Sequence, residues 1–496
     1  EAADRAVRQA NPDRAIKPVD GDYDPPATGL PDNHCYTGWY CGHEVDLGKL
    51  HKGFWQRVKP GWLYACGEFG SEALDRLEVM RQYYPKHWLP ASAEAEKTWS
   101  PDSIPRAQLG RFHYFWYDTQ ESLEGWIEAS QRHQAWVTRL MTEAFRRDNR
   151  MTSFAIHYNI DSFPAGWMKA LMDVTRYPKE AYFAYRDALE PLMASIRGDR
   201  WAFHSGEDMV FDAWVCNDTG DARKGLSLHW QLEQNCRAIA AWRQKADVKP
   251  LQAAFQGCLK LKAPVVTVPA WFTVRLGILD AKGKVLSDSA VQVKVFPEKE
   301  DKPFFSGRAT VVGSRDGKAV RLARELMPEN RKRTGPSSGT VILIDDFAAF
   351  EKKKESILAA VEQGAQAWFI ELPPGRYEIA GSEVNVEKLT LNPRHFVSRK
   401  TGHPIVADFE PNDFRFWYDA AAGYVTPILE TCFTASDFVP ILGSGNGPWK
   451  TAWHPAIAVG EKALGRGCLR IIQVKLAGRL RGNPQAGILA RRMLSR

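Results

Sequence analysis

The chain has 496 residues, 44% hydrophobic and 25% charged, the balance of an ordinary globular protein of roughly three domains. Its 66 basic and 59 acidic residues leave a net charge of +7, too thin an excess over this length to signal nucleic acid. No apolar run approaches the ~20 residues of a membrane span, so neither nucleic acid nor membrane is an expected partner.

The opening EAADRAVRQANPDRAIKPV reads as the tail of a helix, a turn at Asn11-Pro12 and a strand over residues 15–19. Nothing stands ahead of that helix to pack on it. The chain is therefore expected to begin inside a domain, with its targeting region absent and both cytoplasmic and periplasmic or secreted locations open. Residues 33–40 (NHCYTGWY) form a second strand, and the run WLYAC ending at Cys66 a third, closed by the loop GEFGS. A long amphipathic helix follows over 121–145, with Leu123, Trp126, Ile127, Val137, Leu140, Met141 and Ala144 recurring at three and four. Residues 153–159 (SFAIHYN) make a fourth strand leading into IDSFPAGW, and 179–192 a closing helix stopped near Pro191. Four strands, each followed by a helix or long loop, make half of a (β/α)8 barrel. Residues 1–195 are thus expected to be the C-terminal half of such a barrel, about strands five to eight, with the first half absent.

Across 196–298 the helical period fades into short alternating runs at 209–215, 226–232, 271–279 and 291–296, separated by turns such as Lys282-Gly283. That pattern predicts an immunoglobulin-like β-sandwich, with 238–246 passing as a helical piece. Over 299–496, buried strands (309–312, 341–344, 367–370, 469–474) alternate with helices (319–326, 352–363). This predicts a doubly wound α/β domain resembling amidotransferase-like or flavodoxin-like modules. The turns after its strands, GSRDG, DDFAAF and ELPPG, hold no cysteine, which disfavours amidotransferase chemistry. Asp345 and Asp346 read as helix caps rather than a metal site, and the aromatic, acidic stretch 408–419 as a packing segment, with a partner-domain contact or the edge of a substrate cleft as alternatives. The eight cysteines show neither a CxxC pair nor zinc spacing and read as mostly buried thiols, which favours a reducing compartment.

Glu68 carries the candidate chemistry. A lone carboxylate at the C-terminal end of a barrel strand faces the catalytic mouth; the alternative is a loop acid capping the next helix, a job Ser71 could also do. His34 and Tyr36 end the preceding strand at alternate positions, pointing to one side, and Asn159 and Asp161 end the following strand by the same rule. Three successive strands finishing in polar or aromatic groups suit a carbohydrate-sized site. Glu72 reads as a first-turn helix charge, and Glu44 and Asp46 as loop or subsite residues.

The segments HCYTGWY, GEFGSEALD and IDSFPAGWMKALMDVTRYPKEAYFAYRDALEPL resemble the last barrel strands of glycoside hydrolase family 2, which includes β-galactosidases, β-glucuronidases and β-mannosidases. The resemblance covers the barrel portion, and the sandwich fits the family's domain order. It implies that Glu68 is the nucleophile of a retaining β-glycosidase, with His34, Tyr36, Trp39, Asn159, Asp161 and Trp167 lining the substrate pocket. It implies no cofactor and no catalytic metal, although some relatives hold a divalent or sodium ion. The expected partner is a β-glycoside or oligosaccharide, and the cut faces of a half barrel favour homo-oligomers. The family's acid/base glutamate stands in an Asn-Glu pair, and no such pair precedes Glu68. The acid/base is therefore expected to be missing from this chain, which by itself is expected to be inactive on aryl β-glycosides. The competing expectation is a non-catalytic glycan-binding or assembly scaffold derived from that family.

Overall fold

The computed structural model describes residues 2–13, 34–38, 47–53, 64–105, 116–298, 304–305, 307–327, 339–389, 394–447 and 454–495. The expected strand at 15–19, Trp39, Glu44 and Asp46 lie outside them. The architecture is multidomain, α/β and β-rich, with no described helix long and apolar enough to cross a membrane.

In the first portion, strand Tyr64–Phe69 pairs in parallel with Met151–Ile156, and Cys35 bridges in parallel to Phe69 on the other side. Of the expected 33–40 strand, the described residues show this single bridge. Between the paired strands runs Leu123–Arg147, capped where Ser122 Oγ accepts from the Gly125 N–H at 3.1 Å. Its apolar stripe, including Trp126, Val137, Met141 and Phe145, closes over Phe69, Leu74 and Met80. Arg147 at its last turn donates to Ser195 Oγ at 2.8 Å, fastening the helix to the next domain.

The sandwich is as the alternation predicts. On Asp208–Asn217, Met209, Phe211, Ala213 and Val215 point inward, facing Leu228, Trp230, Val274, Leu276 and Ile278 of the opposite sheet. Three strands (Leu192–Arg197, Asp208–Asn217, Gln252–Lys262) form one sheet and five the other. It begins earlier than the expected boundary at 196, because the closing helix stops at Ala188 and Leu192 already pairs with Asn217. The helical expectation at 238–246 is corrected. Arg237–Lys245 is an edge strand, returned by a two-residue turn in which Asn235 and Cys236 take φ of +50° and +61°.

Among the described residues the last domain holds a nine-stranded sheet, in which Val439–Asn446 pairs antiparallel with His454–Leu464 off the main strand order. Arg308–Val312, Thr340–Ile344, Gln366–Ile370 and Gly467–Ile472 run parallel, while His454–Leu464, Thr431–Thr434, Ser382–Lys388 and Gly375–Ile379 continue it antiparallel. The expected doubly wound sheet is thus its parallel half. Val341 and Leu343 pack with Leu322 and Leu326 of Lys318–Leu326, while Ile342 and Ile344 pack with Phe350 and Ile357 on the other face. Asp346 caps Phe347–Glu351 and Asp345 Oδ2 accepts from the Ala319 N–H at 2.9 Å, so both acids serve helix starts.

Candidate functional site

The backbone N–H of Cys35 donates to Glu68 O at 2.7 Å, and that of His157 to Phe69 O at 2.9 Å. These bonds hold three chain segments side by side. Phe69 is fully buried among Phe145, Phe154 and Tyr185, while Glu68, beside it, stays partly exposed. Cys35 likewise turns into the core, leaving His34 and Tyr36 to share the face of Glu68. The Tyr36 hydroxyl donates to Glu68 Oε2. His34 Nδ1 lies 3.5 Å and His157 Nε2 3.7 Å from the same oxygen.

The loop after Met151–Ile156 completes the cluster. Lys169 Nζ stands 4.6 Å from the centre of the Tyr36 ring and 5.2 Å from that of Trp167, whose indole is 49% exposed. His157 meets the edge of Trp167 at 6.3 Å. Burial pulls the Lys169 ammonium down to about 8, opposed by the carboxylates of Glu72 and Glu68. Burial, then the charge of Lys169, pulls His157 down to about 4, opposed by Glu68, so at neutral pH its imidazole is uncharged. The result is a carboxylate gripped by a phenol, flanked by imidazoles and one cation, with an open aromatic face beside it. Such a carboxylate can act as a nucleophile or hold a hydroxyl-rich ligand.

Asp161 sits behind this cluster. Its Oδ1 accepts from the Trp167 N–H at 3.3 Å, and its Oδ2 lies 4.0 Å from Lys179 Nζ, so it shapes the loop that presents Trp167 and Lys169. Asn159 is exposed and enters through its carbonyl, which accepts from the Met172 N–H at 2.9 Å. Of the expected site residues, the structure brings His34 and Tyr36 onto Glu68 and Trp167 onto the rim formed with His157 and Lys169.

Glu72 departs from expectation. The next helix starts at Leu77, and Glu72 is buried with its charge felt by Lys169, Tyr84 and Tyr117. The intervening chain is drawn out of helical form by partners elsewhere. Gln134 Nε2 donates to Ser71 O at 2.9 Å, the Ala73 N–H to Met168 O at 3.0 Å, and the Leu74 N–H to Ser130 Oγ at 3.1 Å. His157 and Lys169 are the residues missed from sequence. His157 precedes Asn159 by two and follows the same alternation, a usable signal, whereas Lys169 reaches the site through a loop path without periodicity. Among the described residues no cluster of three or more His, Cys, Asp or Glu is placed to hold a metal.

No family model matches the chain, and no curated protein does. Among solved structures it is similar to a β-D-mannosidase from Dictyoglomus thermophilum, at 15% identity and TM-score 0.38, over 57% of this chain and 32% of that one. It is similar to the Amycolatopsis orientalis exo-chitosanase CsxA at 14% identity and TM-score 0.37, over 87% of this chain and 47% of that one. A CARDB domain from Pyrococcus furiosus matches 22% of the chain at 12% identity and TM-score 0.18. The chain thus spans less than half the length of the two enzymes.

Proposed function

We propose that Glu68 is the nucleophile of a retaining β-glycosidase acting on terminal β-linked sugars, with β-galactosides the first class to test. The supporting observation is the hydrogen bond from Tyr36 to Glu68 Oε2, on a carboxylate at the C-terminal end of a parallel strand beside the exposed face of Trp167. A carboxylate oxygen attacks the anomeric carbon and a glycosyl ester forms as the bond to the leaving oxygen breaks. In such a mechanism a second carboxyl about 5–5.5 Å away gives that oxygen its proton and water then cleaves the ester, but no Asn-Glu pair ahead of Glu68 supplies that acid in this chain. Tyr36 orients the nucleophile, and Trp167 offers a ring face to the sugar. Lys169 places a titratable cation at the rim, suited to a polar or acidic substituent.

A dinitrophenyl 2-fluoro-β-glycoside tests this directly, because its leaving group departs with little protonation and the fluorine slows release of the ester. Incubation is expected to add one sugar mass to the peptide carrying Glu68, with no adduct in Glu68→Gln. The absence of an Asn-Glu pair ahead of Glu68 favours a second reading, a glycan-binding scaffold. Saturable glycan binding without any adduct would select it.

A further inference from the structure

Where the long helix, the sandwich and the last domain meet, a cavity of about 330 Å³ opens between Trp136, Trp271, Lys294, Asp413, Arg415 and Phe416. It lies at the small end of the range for ligand pockets. The two cations on its wall are in opposite states. Lys294 is neutralised, its Nζ 2.5 Å from Asp413 and 3.1 Å from Glu410. Arg415 has no carboxylate within ion-pairing distance among the described residues, and its Nε is buried without a hydrogen-bond partner. Its guanidinium lies 4.7 Å from the centre of the Trp136 ring and 4.4 Å from that of Phe416. Its Nη2 sits 3.0 Å from His133 Nδ1.

That histidine supplies no counter-charge. His133 Nε2 is 2.6 Å from Gly38 O and must donate to it, so Nδ1 accepts from Arg415 and the ring is neutral. Burial, then the charge of Arg415, pulls His133 down to about 3, and burial pulls Arg415 down to about 9. Phe416 holds its place over the guanidinium at φ +60°, a left-handed conformation that bulky residues seldom adopt. A half-buried cation with no acid beside it among the described residues, set between aromatic walls, is completed by an anion with a ring. The anion is singly charged, because the second cation is already held by two acids that would repel a dianion.

We propose that this cavity binds a monocyclic carboxylate, its ring against the tryptophan walls and its carboxylate on Arg415. The site shares no residue with the Glu68 cluster, so its test stands apart from the proposed function. Isothermal titration of the whole chain with benzoate and with glucuronate is expected to give saturable binding, with Kd of about millimolar order. Binding of benzoate alone identifies an aromatic acid, and of glucuronate alone a sugar acid. The uncharged rings benzamide and glucose are expected to bind at least roughly tenfold more weakly. Arg415→Gln removes the charge, and Ala290→Trp fills the space from an exposed position of the cavity lining. Both are expected to lose binding, and Ala290→Trp tests the site even where Arg415→Gln does not fold. The proposal is overturned by no saturation with either acid, by equal binding of the uncharged rings, or by binding that survives Ala290→Trp.

Discussion

Tyr36 donates its phenolic hydrogen to Glu68 Oε2 from the chain segment alongside, in a register set by the bond from the Cys35 N–H to Glu68 O. The Tyr36 ring is itself buried and carries Lys169 on its face. Tyr36→Phe therefore keeps the packing and deletes one charge-assisted hydrogen bond, worth about 1.5–3 kcal/mol. On the proposed chemistry the rate of 2-fluoro glycoside labelling falls about 10–100-fold, with the thermal midpoint little changed. Stopped labelling time courses and calorimetry check the two halves of this prediction. An unchanged labelling rate would remove Tyr36 from the mechanism.

Lys169 gives a pH signature. Its folded value of about 8 lies below the ~10.4 of an unfolded lysine, so between those values the unfolded chain binds more protons. Stability contributed at this position therefore rises with pH from about 8 upward and is flat below it. Urea unfolding from pH 7 to 10 is expected to show this rise in the wild type and to lose it in Lys169→Met. A difference between the two proteins that is independent of pH would contradict the assignment.

The sandwich and the parallel half of the last sheet were legible because their strands alternate or run apolar without a break, as in Asp208–Asn217 and Thr340–Ile344. Arg237–Lys245 was not, because an edge strand exposed along most of its length need not alternate, and RAIAAWRQK carries a helical composition. At the site, alternation placed His34, Tyr36 and Glu68 together. It failed for Glu72, where the drawn-out chain from Ser71 to Leu74 is held by Gln134, Ser130 and Met168, all distant in sequence. Local propensity has no access to such partners.

Gln134 can be tested for that role. Its Nε2 donates to Ser71 O at 2.9 Å and Lys169 O at 3.0 Å, tying together the two loops that flank Glu68. Gln134→Leu leaves these carbonyls buried without that donor and is expected to cost about 2–4 kcal/mol in chemical denaturation. Gln134→Glu puts a buried charge against the same carbonyls and is expected to cost at least as much. A loss below about 0.5 kcal/mol in either would show that the loops are held elsewhere.

His133 sets an acid limit. Its folded value of about 3 lies below the ~6.5 of an unfolded histidine, so across that window the unfolded state binds more protons. Its contribution is present above pH 6.5 and is lost on acidification by up to about 1.4 kcal/mol per pH unit until about pH 3. His133→Gln retains a donor for Gly38 O and an acceptor for Arg415 without titrating. Its unfolding free energy is expected to fall less steeply from pH 6 to 4 than that of the wild type.

Lys179 is a buried cation behind the candidate site. Its Nζ lies 3.0 Å from Asp75 Oδ1 and 4.0 Å from Asp161 Oδ2, with all three side chains at most 2% exposed. It also donates to Ala73 O at 3.0 Å and Met168 O at 3.4 Å, joining the stretch that follows Glu68 to the loop that carries Trp167. Lys179→Met keeps the stem and leaves two buried carboxylates without their cation, at an expected cost of about 3–5 kcal/mol. Lys179→Met combined with Asp75→Asn removes one of the stranded charges and is expected to recover part of the loss, while Asp161 keeps the recovery incomplete. Urea midpoints for the single and double variants measure this coupling. A double variant no more stable than Lys179→Met alone would mean that the lysine acts through its carbonyl bonds and not through Asp75.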